Sequence, residues 1–597
     1  MFVFPLYILV PLLIASLIAV INNFKNSKLM SYISLISVLI SFLITLFVII
    51  QPGNIYTINW FNFNNFSFNF VISTFFLNKL LLFLVSLISI LIFIYSIGFI
   101  NVPSEQNRYY FEMLIFTSAM MLFSISANFI SLIIGWELLG ITSYLLIGFW
   151  YHKEKPPDAA RKAITTILIG DISMLVSIVI FFNLYHTLNF YTIINSPIQP
   201  LLSVPLIFLL IAIFTKSAQF PFTNWLSPAM EGPTPVSAFL HSSTMVKAGV
   251  FLIIILLPLF IKSHLLYLIL FIGLITSIIG ATNALAENHI KKIIAYSTIE
   301  DLGLMMVALG LNALYAALAL FIVQTFYKSL LFLSSGYIMK SHDEKSDIHR
   351  LSINSKLILI SLFIGSASLA GLFPFSGFFG KISLDIFASS NLIVYLILVL
   401  IDFLSALYIF RWLFIMQKPK TQKHKAMISF SSFSMKFAIF LNLILLLSSS
   451  FLFIFALNYI FPANILKIDY MSYLKDEIIS TILILVAIFT TYFYYKSKSM
   501  DYLIKKEKNA NKSIAHKFFY NNVFIWLVYS LAYNFILAIS NIMYYFDKLF
   551  NELIYYFALI FIKIGNVLKR LENGQINTYI LFFALGLIFL ILFFIIK

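Results

Sequence analysis

Long apolar runs separated by short polar loops recur along the chain, and each run of about 18 residues or more predicts a membrane-spanning helix. Fifteen such segments are predicted, at 2–21, 29–50, 75–100, 110–127, 129–150, 161–185, 204–222, 236–261, 264–284, 291–311, 313–339, 355–381, 391–416, 429–457 and 478–497. Two are broken by proline, the seventh at Pro221 and the twelfth near Pro374. Proline removes a backbone donor, and a broken helix at membrane depth is tolerated only where the freed groups face protein or a wet cavity. A final span is predicted at 579–596, and 516–572 fits either two spans or one in-plane helix interrupted by Asp547, Lys548, Glu552 and Lys563. Taken as one helix, it would be roughly 80 Å long.

The tripeptide FPF marks both breaks, at 220–222 and 373–375, 153 residues apart. Each break lies in a set of five helices, 110–262 and 263–416. Because five is odd, the second set runs opposite to the first, an inverted repeat of the kind transporters use. Residues 1–109 hold three helices ahead of the repeats, and 417–500 hold two after them. The predicted fold is therefore an all-α polytopic membrane protein.

Composition narrows the function. The chain is 61% hydrophobic and 10% charged, with no cysteine. Thiolate-held iron–sulfur clusters, disulfides and cysteine-bound zinc are excluded, and long continuous runs exclude an outer-membrane barrel. The net charge of +16 does not indicate nucleic acid, since the basic residues fall mostly in short loops after odd-numbered helices. Such loops face the cytoplasm, which places the N-terminus outside. Loops 51–78 and 187–203 carry no charge at all. The first helix has no basic leader and no small-residue cleavage site, and reads as a retained span.

Against this background a few charges stand inside apolar sequence: Glu137, Asp171, Lys216, His241, Lys247, Lys328 and Lys381. A lysine at mid-bilayer costs roughly 2.5 to 3.5 kcal/mol on an insertion scale, so each needs a partner or a function. Lys216 is the candidate partner of Glu137, although such a pair can also simply lock two helices together. Asp171 reads equally as a direct participant and as an orienting or packing polar group. His241 and Lys247 share one predicted helix, about 9 Å and about 120° apart, as successive stations rather than neighbours. Lone helix histidines are often packing residues, and Lys381 can snorkel to an interface. Lys328 lies one turn after Gln324, on the same face. Asp402 and Arg411 are embedded farther on, where either can set helix orientation. A carboxylate, lysines and a histidine at membrane depth can load and release protons as neighbouring charges move.

The stretch KSAQFPFTNWLSPAMEGPTPVSAFLHSSTMVKAG, with GWELLGITSYLLIGFWY before it and IKKIIAYSTIEDLGLMMVALG after it, resembles the largest antiporter-like subunit family of respiratory complex I. The resemblance resumes at RLENGQINTYILFFALG. It implies about sixteen spans, two inverted five-helix units with broken helices, a lateral in-plane helix over 501–575 and a C-terminal anchor over 576–597. It implies that Glu137 and Lys216 form a coupling pair with Asp171 near it, that His241 is the helix-eight histidine, and that Lys328 and Lys381 are the central and exit-side lysines. Gln324 stands where many relatives have a histidine. The acidic pair that often follows Lys381 is absent, although Asp385 lies one turn on, and Lys247 stands where multisubunit sodium/proton antiporters carry lysine.

The function so implied is proton translocation in the membrane arm of an NADH (or other donor):quinone oxidoreductase, in a prokaryotic plasma membrane rather than a mitochondrial one. No cofactor is expected in this chain; quinone, flavin and iron–sulfur clusters belong to partner subunits, alongside other antiporter-like subunits. A sodium/proton antiporter subunit, a membrane-bound hydrogenase subunit and a non-conducting brace are the alternatives.

Overall fold

A computed structural model describes residues 4–21, 27–63, 66–353, 355–417, 432–460, 477–496, 538, 541–560 and 563. The chain divides into two units, Met1–Ser540 and Asn541–Lys597. The first is built from helices α1 (Val10–Ile21), α2 (Ser27–Ile50), α3 (Phe76–Phe99), α4 (Pro103–Ile125), α5 (Phe129–Ile147) and α6 (Lys155–Tyr185). After a short α7 (Phe190–Asn195) come α8 (Ser203–Lys216), α9 (Thr234–Ser242), α10 (Met245–Lys262), α11 (Leu266–Ala286), α12 (Ile290–Gly310) and α13 (Leu314–Lys340). It continues with α14 (Lys356–Ala370), α15 (Ser376–Ala388), α16 (Leu392–Gln417), α17 (Phe433–Ile460) and α18 (Glu477–Lys496). Among the described residues nine helices are long and apolar enough to cross a membrane, and the shorter apolar ones include those flanking the breaks.

Every one of the fifteen predicted segments coincides with a helix or a broken pair. Both predicted breaks occur. At the first, α8 ends at Lys216, earlier than the proline, and two 3₁₀ turns, Thr223–Trp225 and Pro228–Glu231, lead to α9. The carbonyls released there are used: Gln219 N–H donates to Phe214 O at 2.9 Å, and the Trp225 indole to Thr215 O at 2.9 Å. Both breaks hold a cis X–Pro bond.

A third break was not expected. The predicted helix 236–261 is two helices, separated at Ser243 and Thr244. Of the three consecutive hydroxyl residues 242–244, Thr244 competes with the helix for its own backbone. Thr244 Oγ1 donates to Phe239 O at 2.7 Å, satisfying a carbonyl the interruption exposes. The helical arithmetic relating His241 to Lys247 therefore does not apply.

The uncharged loop 51–78 holds a hairpin, β1 (Ile55–Phe63) antiparallel to β2 (Phe66–Ser73), with a register irregularity between Asn59 and Phe61. Its root is tied to the α4–α5 turn: Ala127 N–H donates to Val71 O at 3.0 Å and Asn128 Nδ2 to Asn69 O at 2.6 Å.

Helices α12 and α13 are buried along nearly their whole length. A stripe of small residues on α11, Gly273, Ser277 and Gly280, lets α12 approach closely, which seats the polar side chains of α12 against α13 and α16. Outer faces of α1, α2 and α6 expose Leu17, Leu43 and Ile172, as lipid-facing surfaces do.

In the second unit, residues 541–560 are helical, with Lys548 and Glu552 one turn apart at 4.0 Å. Apart from 538, 541–560 and 563, the predicted lateral segment 501–575 and the anchor 576–597 lie outside the described residues.

Candidate functional site: buried lysines and carboxylates

Lys216 occupies the last turn of α8, where the negative end of the helix dipole favours a cation. Its Nζ donates to Trp136 O at 2.5 Å, lies 4.2 Å from the Trp136 ring centroid and stands 3.8 Å from Asp171 Oδ1. The Trp136 indole donates to the same Asp171 oxygen at 2.8 Å. Asp171 reaches this position because Gly170 brings α6 against α8: a Cβ there would fall 1.9 Å from Thr215 Oγ1. Glu137 is half-buried on α5, and no ion pair within 4 Å joins it to Lys216 among the described residues. The nearest carboxylate to Lys216 is thus Asp171, not the Glu137 that the sequence suggests.

Lys247 is fully buried on α10 and is held by α13, its Nζ donating to Phe321 O and to Thr325 Oγ1, both at 2.6 Å. Lys328 follows Thr325 by three residues, on a neighbouring part of α13. Its Nζ pairs with Asp301 Oδ2 at 2.8 Å and donates to Ser297 Oγ at 2.5 Å, both on α12. The side-chain amide of Gln324, the expected neighbour of Lys328, makes no hydrogen bond among the described residues.

Lys381, on α15, pairs with Asp402 Oδ1 of α16 at 2.7 Å, so its partner is Asp402 and not Asp385. Buried as it is, Lys381 does not snorkel. Its Nζ also donates to Ser405 Oγ at 3.3 Å. Ser405 Oγ in turn donates to Glu300 Oε1 at 2.5 Å, and the Tyr408 hydroxyl donates to Glu300 Oε2 at 2.7 Å. Adjacent acids on α12 therefore diverge, Asp301 towards Lys328 and Glu300 towards Lys381. Lys247, Lys328 and Lys381 are matched in number by Glu300, Asp301 and Asp402, with Asp385 a further buried acid on α15.

His241 is fully buried, its ring lies tilted 4.9 Å from that of Phe332, and neither ring nitrogen has a polar partner among the described residues. Among the described residues, six further buried polar atoms without a partner lie at or near the helix interruptions: Ser217 Oγ, Gln219 Oε1, Ser242 Oγ, Ser243 Oγ, Ser368 Oγ and Ser376 Oγ. Buried polar groups are normally bonded to protein or water, so these positions are suited to water.

A cavity of about 410 Å³ opens where α9 and α12 begin and α13 ends, lined among others by Trp150, Lys153, Thr234, His289, Lys291 and Lys340. Thr234 and His241 are seven residues apart on α9, roughly 10 Å along one face. Among the described residues no group of three or more histidines and acids could hold a metal ion.

The subunit L of NADH-quinone oxidoreductase from Buchnera aphidicola (Schizaphis graminum) is 32% identical to this chain, over 98% of each. The chain belongs to that antiporter-like family. The family model described as NADH:quinone oxidoreductase/Mrp antiporter, transmembrane, matches residues 126–407, which contain Glu137, Asp171, Lys216, His241, Lys247, Lys328, Lys381 and Asp402. The corresponding subunit of Campylobacter jejuni is 36% identical over 61% of this chain and 62% of its own length. A chain in the Mrp complex of Dietzia sp. DQ12-45-1b shares the fold with a TM-score of 0.73 at 19% identity, covering 100% of this chain and 63% of that one.

Within this family member, Glu300, Asp301, Asp402, Ser405 and Tyr408 were not picked out by sequence reasoning as site residues. A signal was present: Asp402, Ser405, Tyr408 and Arg411 recur every three residues on the otherwise apolar α16. Arg411 has a separate task. It donates to Leu285 O, and at 3.0 Å to Glu287 O, closing the C-terminal end of α11.

Proposed function

We infer that this chain is a proton-translocating membrane-arm subunit of an NADH:quinone oxidoreductase of the complex I type. The observation that carries this reading is that Lys216, Lys328 and Lys381 are each buried and each set against a carboxylate on a different helix. Replacing such pairs by apolar residues is often neutral or stabilising, so three of them in one bundle serve something other than stability. The Lys216–Asp171 pair, with Glu137 beside it, is the input; movement of its charge changes how firmly Lys247, Lys328 and Lys381 hold their protons. The 410 Å³ cavity, which has Thr234 of α9 in its wall, is the entry this reading assigns to protons from the cytoplasmic side, with His241 about two turns farther along α9. The N-terminus lies outside, in a bacterial plasma membrane, and the redox groups belong to partner subunits.

The test is the assembled complex reconstituted in liposomes and driven by NADH. Lys216→Ala and Lys328→Ala should abolish or strongly reduce proton translocation, and unchanged translocation in both would remove the reading. A second reading, a subunit of a sodium/proton antiporter, draws on the fold shared with the Mrp complex. It predicts sodium-dependent proton movement without any electron donor, and co-purification with small membrane subunits but no redox partner.

A further inference from the structure

We propose that Ser405 is a relay hydroxyl that passes a proton directly between Glu300 and Lys381, with no water between them. The inference rests on the translocation reading above and adds a named step to it. Four buried groups are in contact: Lys381 Nζ donates to Ser405 Oγ at 3.3 Å, Ser405 Oγ donates to Glu300 Oε1 at 2.5 Å, and Tyr408 donates to Glu300 Oε2 at 2.7 Å. Asp402 lies 2.7 Å from Lys381 Nζ on its other side. Tyr408 occupies one oxygen of Glu300 as a donor and leaves Oε1 as the oxygen that exchanges a proton.

Ser405 Oγ also lies 2.8 Å from Ile401 O. A hydroxyl has one proton and here three acceptors within reach, Glu300 Oε1, Ile401 O and the Lys381 amine when neutral, so the helix carbonyl is a way-station between the orientations facing Glu300 and Lys381. In the loaded state Glu300 is protonated, Lys381 is a neutral amine and the Ser405 hydroxyl points at the amine. The Glu300 O–H bond breaks as a bond from that proton to Ser405 Oγ forms. The original Ser405 O–H bond breaks as its proton joins Lys381 Nζ. The products are a carboxylate, an unchanged serine and an ammonium held by Asp402; no other reactant is consumed. The serine then donates to Glu300 and accepts from Lys381, which is the arrangement observed. Rotation through Ile401 O resets it.

A serine that merely bonds back to its own helix, as many do here, would have no such role. The two are separated in the reconstituted, NADH-driven complex. Ser405→Ala should assemble but slow proton translocation by about a hundredfold, the lower end of the range for losing a positioned proton-transfer group, and should change the solvent deuterium isotope effect. Ser405→Thr, which keeps the hydroxyl, should restore most of the rate. Wild-type rate and isotope effect in an assembled Ser405→Ala complex would overturn the relay. Should that variant not assemble, Glu300→Gln decides: it still accepts from Tyr408 but cannot exchange a proton, and wild-type translocation in it overturns the proposal. A wild-type complex that oxidises NADH without moving protons would defeat the translocation reading itself, a result distinct from either.

Discussion

Asp171 Oδ1 faces two N–H groups, the neutral Trp136 indole, which donates to it at 2.8 Å, and the cationic Lys216 ammonium at 3.8 Å. The tryptophan also supplies its carbonyl to the lysine, so one residue of α5 fixes both members of a pair formed by α6 and α8.

Trp136→Phe keeps the carbonyl and an aromatic ring but loses the indole donor together with part of a fully buried ring system. A hydrogen bond to a charged group contributes about 1.5 to 3 kcal/mol net, so the thermal midpoint should fall by a corresponding amount. Translocation should weaken with it, and Asp171→Asn, which removes the charge facing Lys216, should weaken it further. A Trp136→Phe complex unchanged in midpoint and in translocation would show that the indole does not position Asp171.

Lys328 and Asp301 allow a double-mutant test. Removing one partner of a buried pair leaves an uncompensated charge, at about 3 to 5 kcal/mol. Lys328→Met and Asp301→Leu should each reduce the amount of assembled complex on a native gel. Combined, they should recover assembly without recovering proton translocation. Recovery of both would mean that the pair only holds α12 to α13.

The spans and two of the breaks were legible because their causes are local: an apolar run predicts a helix in lipid, and Pro221 and Pro374 cannot continue one. The hairpin at 55–73 was missed because its first strand, IYTINWFNF, does not alternate and the loop was judged mainly by its lack of charge, although the second strand alternates cleanly in FSFNF. Partner choice was less legible still. That Lys216 faces Asp171, and Lys381 faces Asp402, depends on how α6, α8, α15 and α16 pack, and no spacing along the chain encodes it. Glu300 and Asp301 were in plain view in IEDLG, but which lysine each one meets follows from their divergence around α12.

Gly371 ends α14 at φ +81°, a conformation that costs other residues roughly 1 to 2 kcal/mol. A Cβ there would also meet Lys381 Cδ at 2.8 Å. Gly371→Ala should therefore do two separable things: lower the thermal midpoint, and displace the lysine stem from its 2.7 Å pairing with Asp402. Translocation should fall by more than the stability loss explains, measured at a temperature where the variant is fully folded. A variant that loses stability alone would mean that the lysine stem adjusts around the new methyl group.

His289 stands just ahead of α12, in the wall of the 410 Å³ cavity. Burial pushes its imidazole down from 6.5 to about 3, with Lys291 and Lys292 acting in the same direction. Because the folded value lies below the unfolded one, the unfolded chain takes up the proton first as pH falls. His289 therefore contributes nothing to pH-dependent stability above about pH 6.5 and subtracts progressively below it, by up to about 1.4 kcal/mol per pH unit. Removing the imidazole should relieve that loss, so the thermal midpoint of His289→Gln should fall less steeply than wild type between pH 6.5 and 4.5. Parallel curves would show that the ring is solvated. Neutral over the working range, His289 has no proton to deliver there, and the pH profile of translocation between pH 6 and 8 should be the same in both proteins. A profile shifted by His289→Gln would instead make the ring a proton carrier at the mouth of the cavity.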